Sequence, residues 1–225
     1  MIGCPKLCSG NEIELDLKAG IPPRGLYFEF EDRSGQLGVI VVGINPGSIA
    51  PNPTKKTERK IIKQERDFYT RYNNTYLAMT EEWKKSKFGK HYYDPLSWLV
   101  NEFEDINGPI LWTDLVKCES KSKKTLRLQT IRICLANFLA REIGAVPNNW
   151  PIIAVGKEAY TALAYRFPDR AVAGIPHVSG AYGAPLAALK DERGYLKCCI
   201  KKAFIGICRE RSTGWLPHSL EDEGN

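Results

Sequence analysis

Four short apolar stretches constrain this chain most: Gly38–Val42 (GVIVV), Ile110–Leu115 (ILWTDL), Pro151–Val155 (PIIAV) and Ala171–Ile175 (AVAGI). Their hydrophobicity is continuous rather than alternating. That pattern suits strands covered on both faces, as in a parallel sheet between helices. Helical patterns lie between the stretches. Leu128, Ile131, Leu135, Phe138, Leu139 and Ile143 recur at three- and four-residue spacing and predict one apolar helix face. Lys157–Tyr165 predicts a short helix directly after the third strand, and Leu196–Ile207 another towards the C-terminus. Strands alternating with helices predict an α/β fold, a three-layer α/β/α sandwich with a central four-stranded parallel sheet. The 225 residues suffice for one well-buried domain.

Composition narrows the class. Apolar content of 43% and charged content of 26% are ordinary for a globular protein. No apolar run reaches the roughly 20 residues that cross a bilayer, so no membrane partner is expected. The opening MIGCPKLCSGNE has no apolar core of a signal peptide, which predicts a cytoplasmic protein. In that reducing setting the seven cysteines are expected as thiols, available for burial or for metal ligation. The net charge of +6 is unevenly placed. Residues 54–90 carry eleven basic side chains, Lys55, Lys56, Arg59 and Lys60 among them, against five acidic ones. This excess equals that of the whole chain. It suits a polyanionic partner, and equally a solvated basic helix face.

In open parallel sheets, ligands sit outside the carboxyl ends of the strands. Gly43-Ile44-Asn45-Pro46-Gly47 follows the first stretch. Thr113-Asp114-Leu115-Val116-Lys117-Cys118 closes the second, Gly156-Lys157 follows the third, and Pro176-His177-Val178-Ser179-Gly180 follows the fourth. Polar and glycine-rich residues therefore converge on one sheet edge, where a site is expected. Taken singly, Asn45 reads as a helix N-cap and His177 as a structural histidine. GINPG is neither a Walker A loop nor a dinucleotide fingerprint.

Together, GINPG after the first strand and His177-Val178-Ser179-Gly180 after the last resemble the two signature motifs of the uracil-DNA glycosylase superfamily. GINPG is similar to the form in its mismatch-specific and single-strand-selective branches. HVSG resembles a His-Pro-Ser pattern with Val178 in place of proline. The resemblance extends through TDLVKC and AVGKEAY in the same order, with residues 54–90 as a basic helical insertion in a single domain spanning 1–225. Cys118 and Cys134, with 15 residues between them, resemble the cysteine pair of the iron–sulfur branches. Cys4 and Cys8 stand where those branches carry a second pair, although C-x3-C replaces the usual C-x2-C. The resemblance thus implies a 4Fe-4S cluster on Cys4, Cys8, Cys118 and Cys134. Residue chemistry alone also accommodates Cys134 as an apolar core thiol.

The resemblance implies a monofunctional DNA glycosylase of base excision repair, acting as a monomer on DNA. Asn45 would hold the attacking water and His177 would stabilise the departing base. Gly43, Ile44, Pro46 and Gly47 would shape the base pocket, and Tyr92 or Tyr93 would stack on the base. Ser179 and Gly180 would contact phosphates, and Tyr182 would fill the space the flipped base vacates. Asp114 stands where the iron–sulfur branches carry asparagine. An amide donates and accepts, whereas an ionised carboxylate only accepts, which mismatches uracil O4. Two alternatives follow: a base presenting an amino group, or a neutral Asp114 in a dry pocket. Two further functions compete with the glycosylase. One is a catalytically weak nucleic-acid-binding relative of the same fold, and the other a small-molecule α/β enzyme.

Overall fold

The computed structural model describes residues 27–29, 37–44, 110–117, 126–177 and 195–216. The four apolar stretches form neighbouring strands: β2 (Val39–Gly43), β3 (Ile110–Asp114), β4 (Ile152–Val155) and β5 (Val172–Ile175). Every residue of β2, β4 and β5 is buried, as continuous hydrophobicity requires. In register, Ile40 pairs with both Leu111 and Ile152, and Ile152 with Val172. Side chains alternate between faces along a strand. Ile40, Leu111, Ile152 and Val172 therefore share one face, and all four belong to the main buried cluster.

The sheet is wider than the four strands expected. Among the described residues it has six, in the order β1-β3-β2-β4-β5-β6. β6 (Thr213–Trp215) adds a fifth parallel strand beside β5, and β1 (Tyr27–Glu29) adds an antiparallel edge beside β3. Both additions are three residues long and lie at edges. Thr-Gly-Trp has no apolar run of its own, and its strand character comes from pairing with β5. The strand order reverses at β2: the chain passes from β2 to β3 on one side, then to β4 on the other.

The apolar face predicted over Leu128–Ile143 forms a helical stretch with an irregular middle. α1 (Leu128–Cys134) runs through a π turn (Leu135–Leu139) into α2 (Ala140–Gly144). Four of its buried side chains, Ile131, Leu135, Leu139 and Ile143, repeat every four residues. On an α-helix each such step overshoots a full turn by about 40°. A wider π turn takes up that drift and keeps the four on one face. Burying each is worth about 1.5–3 kcal/mol, which outweighs the roughly 1 kcal/mol of a poorer hydrogen bond. Two residues of the predicted face differ: Leu128 is 70% exposed at the helix start, and Phe138 is only part-buried.

α3 (Lys157–Arg166) buries Ala159 and Leu163, and α4 (Tyr195–Glu210) buries Phe204 and Ile207. A Cβ on Gly174 of β5 would lie 2.7 Å from Tyr160 of α3. A Cβ on Gly214 of β6 would lie 2.8 Å from Ile207 of α4. Gly174 pairs with Trp215, and Gly214 with Ala173. The two glycines thus occupy opposite phases of the strand period. Tyr160 and Trp215 meet edge to face at 5.5 Å. Arg170, just before β5, is buried and donates to the carbonyls of Ile143 and Val146 and to Asn148 Oδ1 at 3.2, 3.4 and 2.6 Å. A cation on those carbonyls suits the negative end of α2. Burial pulls the Arg170 guanidinium below its ordinary pKa. Among the described residues, no helix is long and apolar enough to cross a membrane.

Candidate functional site

The carboxyl ends of β2, β3, β4 and β5 carry Gly43–Ile44, Asp114, Gly156 and His177. The reversal of strand order between β3 and β4 opens the sheet edge at β2, where α/β sheets take their ligands. Gly156 stands at this point, next to the end of β4 and at the N-cap of α3. Its φ of +96° is a conformation in which an L side chain is strained. A Cβ there would lie 2.8 Å from Ile44 Cδ1 and 3.6 Å from His177 Cδ2. Ile44 and His177, 133 positions apart in the chain, thus converge over one glycine.

Beside them, Gly43 pairs with Asp114 across β2 and β3. A Cβ on Gly43 would lie 3.6 Å from Asp114 Cγ and closer still to Oδ1. The carboxyl group of Asp114 therefore lies directly against the main chain of Gly43. Asp114 and His177 are both part-buried, between full exposure and the dry core. An imidazole that can donate or accept and a carboxyl group that accepts when ionised are thus held beside two side-chain-free positions.

The main chain beyond β3 is bound to this edge. Leu115 N–H donates to Gly43 O at 2.8 Å, and Val116 N–H donates to Ile44 O at 3.0 Å. Lys117, 4% exposed, donates to Thr113 Oγ1 and to Glu142 Oε2 of α2, the latter at 2.5 Å. Thr113 Oγ1 also donates to Glu142 Oε2 at 2.8 Å, which closes a triangle of polar groups.

Of the residues singled out in the sequence, Gly43 lies against Asp114, and Ile44 and His177 meet at Gly156. Asn45, Pro46, Gly47, Tyr92, Tyr93, Ser179, Gly180 and Tyr182 lie outside the described residues, as do Lys55, Lys56, Arg59, Lys60 and the whole 54–90 segment. Cys4, Cys8 and Cys118 lie outside them too. Cys134 is 1% exposed within the main apolar cluster, together with Ile131, Leu135 and Leu139. Gly156, Thr113 and Lys117 were placed at this edge by the sequence but given no role, and Glu142 was not singled out. A glycine at a strand-to-helix junction was a usable signal for Gly156. Nothing near Glu142 in sequence announces a lysine 25 positions earlier. No family model matches this chain, and no curated protein matches it.

Proposed function

We propose that the chain is a monofunctional DNA glycosylase, a cytoplasmic monomer that flips a deaminated or otherwise modified base from DNA and hydrolyses its N-glycosidic bond. The observation that carries this proposal is the meeting of Ile44, Gly156 and His177 where the strand order reverses, with Asp114 against Gly43 beside them. The resemblance of GINPG and HVSG to the superfamily motifs supplies the chemistry.

Breaking the bond from base to sugar leaves positive charge on the sugar and negative charge on the base. Asn45, next after Ile44, holds the water that attacks the anomeric carbon. The C–N electron pair leaves with the base, and His177 stabilises it by a donated hydrogen bond. Gly43 and Gly156 let Asp114, Ile44 and His177 close directly on the main chain, and Asp114 meets the ring edge of the base. Pro46 and Gly47 complete the pocket, and Tyr92 or Tyr93 stacks on the base. Ser179, Gly180 and the basic segment containing Lys55, Lys56, Arg59 and Lys60 hold phosphates, while Tyr182 fills the gap in the stack.

We propose further that the fold is a three-layer α/β/α sandwich. The contacts of Tyr160 at Gly174 and of Ile207 at Gly214, on opposite phases of the sheet, support it. A 4Fe-4S cluster on Cys4, Cys8, Cys118 and Cys134 belongs to the same proposal. Cys134 lies in the group of buried residues that also holds Leu115 and Val116, three and two residues before Cys118. The cluster ties segments together and takes no part in base release. Iron and acid-labile sulfide assays on anaerobically purified protein test it, and folded, active, iron-free protein would overturn it.

The test of function is strand cleavage by alkali after incubation with oligonucleotides bearing uracil, hypoxanthine or xanthine. Release of at least one of these bases is expected. Salt-dependent DNA binding without any release would instead identify a nucleic-acid-binding relative.

A further inference from the structure

The strand period separates two neighbouring residues of β3. Thr113 shares the phase of Leu111, whereas Asp114 shares that of Trp112. Asp114 meets Gly43 at the candidate site, while Thr113 bonds to Glu142 of α2. Lys117 closes on both Thr113 and Glu142. A lysine is almost never this deeply buried unless paired, and here the partner is a carboxylate with 20% side-chain exposure. The chain from Thr113 to Lys117 is therefore clamped at both ends by one side-chain triangle. Between the clamped ends, the N–H groups of Leu115 and Val116 hold the carbonyls of Gly43 and Ile44. Whatever fixes residues 113–117 also fixes Gly43 and Ile44.

We infer that Lys117 and Glu142 are positioning residues of the candidate site, a brace that sets the placement of Asp114 and of the Gly43–Ile44 main chain from the opposite face of the sheet. Apolar packing also fills this region, since Leu115 and Val116 are fully buried. Packing resists removal of side chains from the core but tolerates small shifts, whereas a directional ion pair with shared hydrogen bonds selects one placement. Buried polar pairs are best attested in that specifying role, and their net stabilisation is small.

The consequence is separable from stability. Lys117→Met strands a carboxylate and lowers stability. Lys117→Met/Glu142→Gln leaves no unpaired charge and recovers much of that loss. Placement is not recovered, because neither new side chain forms the triangle.

The test is amide hydrogen exchange by NMR on the full chain, with a thermal unfolding midpoint for each variant. In the double variant the amides of Leu115 and Val116 should exchange faster by about tenfold, as for loss of a local restraint, while Ile153 in the sheet centre keeps its wild-type rate. Wild-type exchange at Leu115 and Val116 in a folded double variant overturns the inference and leaves the pair a stability element. Should the double variant fail to fold, Glu142→Gln alone is read against the same criterion. The effect on turnover rests on the glycosylase proposal: kcat for base release should fall by about 10² with KM little changed, the usual cost of a small misplacement. A wild-type chain that releases no base defeats that proposal, while amide exchange still decides the brace.

Discussion

Two buried cations stand at opposite ends of the sheet, and they are satisfied in different ways. Arg170 precedes β5 and spends its hydrogen bonds on the neutral acceptors Ile143 O, Val146 O and Asn148 Oδ1. Among the described residues, its Nη1 has no hydrogen-bond partner. Lys117 follows β3 and meets a carboxylate and a hydroxyl. At the amino end of the strands a cation ties the last carbonyls of a helix to the sheet, and desolvation lowers its pKa. At the carboxyl end, a lysine of the same depth is locked to a named partner beside Asp114. The difference locates two tasks. The amino end carries connection, and the carboxyl end carries placement.

The sharpest way to break this comparison is to remove the proposed catalytic groups. Asn45→Ala and His177→Ala should each lower base release by about 10² or more, as for loss of one preorganised polar group. Urea unfolding midpoints should stay near wild type. Full rates in both variants would show that the carboxyl end is not the reacting site.

Next in size is Arg170→Ala, at the other end. It removes the side-chain donor of Val146 O and Asn148 Oδ1, leaves Ile143 O with only the Val146 N–H, and opens a gap, at a cost of about 2–3 kcal/mol. Urea denaturation should record that loss, with base release per folded molecule unchanged. A fall in turnover without a fall in stability would abolish the division between the two ends.

The smallest effect sharpens the site itself. Asp114→Asn keeps shape and adds an N–H donor, so uracil release should rise by a factor set by about 1–3 kcal/mol. The kcat/KM for a uracil oligonucleotide measures it. An unchanged value means that Asp114 either meets the base as the neutral acid, with a rate that falls as pH rises, or lies outside contact with the base edge, with a flat pH profile.

Much of the scaffold could be read in advance because its signals are local. Continuous apolar runs mark β2 to β5 within a residue or so, and the run of Ala159 and Leu163 after Gly156 marks α3. The parallel-sheet rule then carried Gly43, Ile44, Asp114 and His177 to one edge. Four-residue spacing from Ile131 to Ile143 marked a helix, yet its π turn arose only because all four side chains must reach the same core.

By itself, then, the sequence determined the α/β class, the inner strands and the edge where polar residues gather, since hydrophobic period and strand direction act over a few residues. Tertiary structure decided the rest. β1 and β6 exist through the strands they pair with, Leu128 is exposed despite its apolar spacing, and Cys134 is enclosed by the core. It also brought Ile44 and His177 over Gly156, and Lys117 to Glu142. These last contacts join residues 25 or more positions apart. Each depends on a packed sheet holding both partners in place, and no local pattern encodes that.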